Sequence, residues 1–325
     1  MSAREGYSGA LAPHIEGLVE RKRALGFGYA AHEALLARID RLCVTGGFGE
    51  PVVTRELSAA WAEASPGEGA GSKAGRMSAL RQLALYERSI GLDAYVPGRF
   101  AGREKSAVYL PTPEETAALF AAIDAYGGDR RWPHMAGGPR IAFRLMRFCG
   151  MRVSECACMA AADVDPEAGA LLVRHSKGDK DRIVYMAGDM ADMVRRHMLE
   201  ERRILGFSPD WLLPGKDPTR HVTPLTLQRR FAAFWAQVPG AMDKSRRPTP
   251  HSLRHAFVVD RMNRWMAEGV SLEQMMPYLA SYLGHSSADE TFYYYHQVAE
   301  AGRIVRERDS VSARVIPEAI PYEEG

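Results

Sequence analysis

The sequence predicts a mainly α-helical protein with one small β-hairpin or sheet, an α+β chain folded as two domains. Three observations carry this. Apolar residues recur at helical spacing through most of the chain, in runs opened by capping residues or closed by glycine. Only the stretch SKGDKD at 176–181 is flanked on both sides by β-prone runs. A length of 325 residues, with a small, charged and aperiodic stretch AGREKSA at 101–107, suits two cores joined by a linker.

The first helix is expected over 10–25, where Leu11, Ile15, Leu18 and Val19 share a face before Gly26 and Gly28. Leu35, Ile39 and Leu42 repeat the pattern over 31–44, stopped by Gly46 and Gly47. Thr54 suits the N-cap of a short helix reaching Trp61. PGEGAGSKAGR at 66–76 reads as loop by composition, overlapping a helix over 72–90 with Met77, Leu80, Leu83 and Ala84 as its stripe. Past the linker, Thr112, Pro113 and Glu115 form a capping-box signature. A helix over 139–150 buries Ile141, Ala142, Leu145, Met146 and Cys149. Arg140, Arg144 and Arg147 share its other face, as solvated charges or as contacts to a phosphate backbone. Residues 171–173 and 182–186 flank the hairpin turn, and helices follow over 189–205 and 224–235. DWLLP at 210–214 reads as a short extended piece, and 303–325 as a short helix with an acidic, proline-containing tail.

Composition sets limits but no function. The chain is 46% hydrophobic and 25% charged, an ordinary globular balance. Its apolar runs are short of a membrane span, and its first residues hold no signal-peptide core, so a cytoplasmic protein is expected. A net charge of +2 places any basic surface locally. Cys43, Cys149, Cys156 and Cys158 are few and unevenly spaced, as expected of small buried hydrophobes in a reducing compartment rather than of a metal site.

The chemistry concentrates in residues 249–296. Thr249 suits an N-cap with Pro250 at the first helical position. His251 and Arg254, three apart, then lie in a first turn whose free N–H groups favour phosphate. A second helix from near Ser271 ends at Leu283-Gly284, His285 follows, and Tyr293, Tyr294 and Tyr295 come after it. Cations, an imidazole and a phenol suffice for metal-free attack on a phosphodiester: arginines balance the growing oxygen charge and the phenol is the nucleophile. His251 and His255 at i, i+4 also suit a metal pair. HSLRH lacks the glutamate of H-E-x-x-H, however, so His255 reads as structural.

H-x-x-R, then L-G-H, then a tyrosine nine residues on, resembles the tyrosine recombinases, the phage integrase family. Two further marks of that family stand upstream in its order. Gly150, Arg152 and Glu155 supply G-x-R-x-x-E, and Lys177, Gly178, Lys180 and Arg182 supply K-G-x-K-x-R, although Ser176 replaces a glycine often found there. The resemblance implies Tyr294 as nucleophile, Arg152 and Arg254 as the phosphate-holding pair, and His251 as general base or hydrogen-bond donor. It implies His285 as a second stabiliser and Glu155 as an orienting residue. Lys177 would be the general acid, with Lys180 as its alternative. Tyr293 and Tyr295 are expected to pack.

The resemblance also implies an organisation. Residues 1–100 would be a helical core-binding domain clamping DNA, 101–107 the linker, 108–302 the catalytic domain and 303–325 a segment docking on a neighbouring protomer. Lys22, Arg23, Lys73, Arg76 and Arg81 are the clamp's candidate phosphate contacts, each otherwise a solvated charge. The partners implied are double-stranded DNA, a homotetramer working through a Holliday junction, and accessory recombination proteins, with no metal or other cofactor. A relaxing topoisomerase of the same chemistry, or a DNA-binding regulatory or architectural protein without catalysis, is the alternative.

Overall fold

The computed structural model describes residues 6–27, 29–63, 67–99, 109–174, 181–241 and 247–284. The chain forms two compact units, Met1–Ser106 and Ala107–Gly325. The described residues are mainly helical, with one small antiparallel sheet.

The first unit holds α1 (Ala12–Ala24), α2 (Ala30–Gly46), α3 (Arg55–Ala62) and α4 (Ala70–Ser89). Leu11, Ile15, Leu36, Ile39, Leu57, Leu80 and Leu83 meet in its core, at helical spacing on each element. Thr54 caps α3 as expected, its Oγ1 accepting from the Leu57 N–H at 3.1 Å. The loop expected over 66–76 is wrong in its second half, because α4 starts at Ala70 and takes in Gly71 and Gly75. Each glycine costs a helix roughly 1 kcal/mol. That early turn buries Arg76 and Met77, and tertiary burial outweighs the local propensity.

The second unit runs α5 (Pro113–Asp124), α6 (Gly138–Phe148), α7 (Val153–Ala157), β1 (Val164–Asp165), β2 (Ala170–Val173), β3 (Arg182–Tyr185), α8 (Gly188–Leu205), α9 (Pro224–Trp235), α10 (Pro250–Ala267) and α11 (Leu272–Leu283). The capping box at α5 forms: the Glu115 N–H donates to Thr112 Oγ1 at 3.2 Å, and the Thr112 N–H to Glu115 Oε2 at 2.9 Å. α6 is the central helix. It packs against α10, α8 and α9, with Phe143 edge-on to Phe231 at 5.5 Å. The sheet is antiparallel in the order β1-β2-β3, with Leu171 opposite Val184 and Val173 opposite Arg182. Leu171, Val173 and Val184 face the core, while Ile183 and Tyr185 are exposed. The expected hairpin strands are present, but β1 and α7 were not anticipated: two and five residues are too short to show a period. Instead of an extended run, 210–214 contributes two isolated bridges, Ala160 with Trp211 and Pro214 with His221.

Among the described residues no helix is long and apolar enough to cross a membrane. Cys43, Cys149 and Cys156 are buried as expected, whereas Cys158, at the end of α7, is exposed.

Candidate active site

The site begins at a glycine. Gly150 has φ +66°, and a Cβ there would sit 2.6 Å from the Phe257 ring. Only glycine lets the chain leave α6, press against α10 and turn into α7. Arg152 stands at the head of α7 and Glu155 one turn in. The Glu155 carboxylate reaches back to accept the Arg152 backbone N–H at 2.8 Å and Arg152 Nη1 at 2.8 Å.

Glu155 also accepts from Arg182 at the start of β3, Nη1 at 2.9 Å and Nη2 at 2.7 Å, and lies 3.9 Å from Arg254 Nη1 on α10. Three guanidiniums thus surround one carboxylate. Burial alone pushes that carboxyl up. The hydrogen bonds and charge of Arg182, then the bonds from Arg152, outweigh burial and hold Glu155 at about 2.

The same three arginines take the end of α11. Arg182 Nε donates to the Tyr282 carbonyl at 2.8 Å, Arg254 Nη2 to Leu283 at 2.7 Å, and Arg152 Nη2 to Gly284 at 2.9 Å. Arg254 Nη1 also donates to the Gly150 carbonyl at 2.6 Å. A helix C-terminus leaves carbonyls without intrahelical partners and carries partial negative charge, so cations are the right caps. Gly284 closes the helix in the left-handed conformation at φ 64°, as its sequence predicts. Arg254 is 1% exposed; Arg152, with a side chain 18% exposed, is nearer the surface.

His251 lies on the first turn of α10, exposed, while Arg254 on the same turn is buried. Pro250 opens the helix as expected, and the Thr249 N–H donates to Ser252 Oγ at 3.2 Å. Loss of water on its packed side, then the charges of Arg254 and Arg152, hold the His251 imidazole at about 4. The ring is therefore neutral at pH 7. His255, 7% exposed, stands edge-on to it at 4.2 Å between centroids. Among the described residues no group of three His, Cys, Asp or Glu side chains is placed to hold a metal ion.

The structure thus brings Arg152, Glu155, His251 and Arg254 together. It adds Arg182, the last letter of the K-G-x-K-x-R motif. Lys177, Lys180, His285, Tyr293, Tyr294, Tyr295 and the segment 303–325 lie outside the described residues.

The cations proposed for DNA contact divide. Arg76 is corrected: it is 4% exposed, gives two bonds to Glu68 at 2.9 and 2.7 Å, and lies over the Trp61 ring. Its arginine fork serves the interior. Arg23 pairs with Glu33 at 2.7 Å, Arg81 donates to the Pro97 carbonyl, and the Lys22 amine lies over Phe27. Lys73 is half-buried on α4. In the second unit Arg140 and Arg144 share Asp124, at 3.1 and 2.7 Å, and Arg147 pairs with Asp260.

Comparisons with known proteins point to one family. The family profile described as phage integrase family matches residues 114–301. A Sinorhizobium fredii protein, y4rE, whose integrase/recombinase name is itself provisional, is 26% identical over 285 residues, covering 87% of this chain and 91% of that protein. Tyrosine recombinase XerA of Thermococcus kodakarensis is 28% identical over 250 residues, covering 74% of this chain and 81% of its own. Among solved structures, XerH site-specific recombinase bound to palindromic difH substrate superposes with a TM-score of 0.60 at 16% identity, over 88% of this chain and 80% of that one. The Tn1549 transposon integrase with circular intermediate DNA gives 0.59 at 15% identity, over 91% and 99%. At such identities these two likenesses speak for the fold.

Proposed function

The chain belongs to the phage integrase family, and from that premise we propose that it is a site-specific DNA recombinase that cuts and rejoins duplex DNA through a 3′-phosphotyrosyl intermediate. The observation that carries the proposal is the convergence of Arg152 from the head of α7 and Arg254 from α10 on the end of α11, around the Glu155 carboxylate and with a neutral His251 beside them. In this reading the Tyr294 phenol attacks the scissile phosphorus. Its proton passes to His251, whose imidazole is free to accept it at neutral pH. The bond from phosphorus to the 5′-oxygen breaks, and Lys177, with Lys180 as the alternative, protonates the leaving oxygen. Arg152 and Arg254, charged at any working pH, balance the charge growing on the phosphorus oxygens, with His285 assisting. A partner strand's 5′-hydroxyl then attacks the phosphotyrosine and frees Tyr294. The ester bond is conserved throughout, so no ATP is consumed.

The first unit is proposed to clamp the duplex, with Lys22, Arg23, Lys73 and Arg81 near phosphates. Four protomers would form the synapse, with residues 303–325 docking on a neighbour. That segment carries Ile304, Val305, Val311, Val315 and Ile316, too few apolar residues to fold alone.

The test is a nicked suicide substrate that traps covalent protein–DNA adducts. The unsubstituted protein is expected to attach, with EDTA present or absent. Tyr294→Phe should bind but never attach, while Tyr293→Phe and Tyr295→Phe should still attach. A dead Tyr295→Phe would move the nucleophile by one residue. Activity lost to EDTA and restored by zinc or magnesium would overturn the mechanism.

A further inference from the structure

We propose that Arg182 is a positioning residue for strand cleavage: by holding the Glu155 carboxylate and the end of α11 together, it keeps the Arg152 guanidinium turned toward the scissile phosphate. The inference rests on the recombinase reading above. Arg182 opens β3, opposite Val173, and its side chain is 9% exposed. Both of its terminal nitrogens reach Glu155 and its Nε reaches the Tyr282 carbonyl, 100 positions away. No other side chain type makes this bridge. A guanidinium presents donors in a fixed planar fork, whereas a lysine ammonium serves as a point charge and cannot bind both carboxylate oxygens and a carbonyl on the far side.

The arrangement matters because of what Glu155 would do alone. Its carboxylate is divided: Oε1 accepts from Arg152 and Arg182, and Oε2 from Arg182 and the Arg152 backbone. Arg152 gives it only Nη1, and turns Nη2 to Gly284. With Arg182 gone, the carboxylate loses two charge-assisted bonds while remaining buried, and the Arg152 guanidinium is already in contact with it. A bidentate Glu155–Arg152 pair would then compete with the phosphate for the same fork. Arg182 therefore acts through Glu155, sharing the carboxylate so that Arg152 meets it through Nη1 alone rather than through its whole fork. The cations proposed above to lie near phosphates are untouched, so its loss should slow the reaction more than it weakens binding.

The experiment is single-turnover attachment to the nicked substrate, alongside half-site affinity and thermal melting. Arg182→Met should attach at least about tenfold more slowly with affinity changed less than about threefold, because a misplaced guanidinium costs transition-state stabilisation rather than ground-state binding. Arg182→Lys should fall between. Glu155→Gln should slow the unsubstituted protein yet accelerate Arg182→Met, since it removes the competing carboxylate. Val184→Ala, a core truncation on the same strand, serves as a control for destabilisation alone. The inference is overturned if Arg182→Met attaches at the unsubstituted rate. It is also overturned if Arg182→Met is no slower than Val184→Ala and Glu155→Gln restores nothing. If the unsubstituted protein never attaches, the recombinase reading falls first and this inference with it.

Discussion

Two glutamates in the second unit are almost equally hidden from water, and they end in opposite states. Glu155 is held at about 2, and Glu201 on α8 is pushed up to about 8. Burial acts on both in the same direction. At Glu155 three guanidiniums reverse it. At Glu201 nothing does: Oε2 has no hydrogen-bond partner among the described residues, and Oε1 lies 3.6 Å from His197 Nδ1, too far for a bond. The geometry resembles an ion pair, yet burial also lowers His197 to about 4, and its Nε2 donates to the Leu212 carbonyl at 3.0 Å. Both groups are therefore neutral at pH 7. A buried carboxylate stays charged only where cations are built around it. Arg76 makes the same point from the first unit. There one guanidinium meets one carboxylate, whereas at Glu155 three guanidiniums gather around one.

The contrast can be broken most severely at Arg254. Arg254→Met strands the Gly150 and Leu283 carbonyls in the interior and removes one of the three cations beside Glu155. It should cost about 3–5 kcal/mol in denaturant unfolding and abolish attachment. Glu155 is next. Its folded pKa lies below the unfolded value of about 4.3, so its stabilisation is present above that pH and lost as pH falls toward 2. Comparing Glu155→Gln with the unsubstituted protein by urea titration should show a difference of roughly 2–3 kcal/mol shrinking across that window. Glu201 should show the opposite sign. Its folded pKa is raised, so stability is full below about 4.3 and lost as pH rises toward 8. Glu201→Gln should be more stable by roughly 1–3 kcal/mol at pH 8, with no gain at pH 4. A variant equally stable at both would show that Glu201 is not protonated in the fold. The smallest effect is expected at Arg144, half-buried and paired with the half-exposed Asp124: Arg144→Ala should change the unfolding midpoint by only ~0–1 kcal/mol and leave attachment unchanged.

The parts of the site that could be read in advance are those with local signals. Gly150, Arg152, Glu155, His251, Arg254 and Gly284 each stand within a few residues of a cap, a turn or a motif partner. Arg182 was visible as a letter but not as a role, because its role depends on Tyr282 and Glu155, 100 and 27 positions away. Arg76 misled for the same reason. As a helix residue in a basic stretch it resembles a surface charge, and only the fold sets it between Glu68 and Trp61.

The sequence by itself determined the helices with strong ends, the two strands around residues 174–181, and the motif positions of Arg152, Glu155, His251 and Arg254. These follow from interactions over three or four positions, the reach of a cap, a heptad stripe or a tight turn. The tertiary structure alone decided which charges are buried, which carboxyl stays ionised, and that three arginines, from the head of α7, from β3 and from α10, close on the three successive carbonyls of residues 282–284 at the end of α11. Those pairings join groups 29 to 132 positions apart, and their strength comes from a low-dielectric interior that exists only once the core has formed.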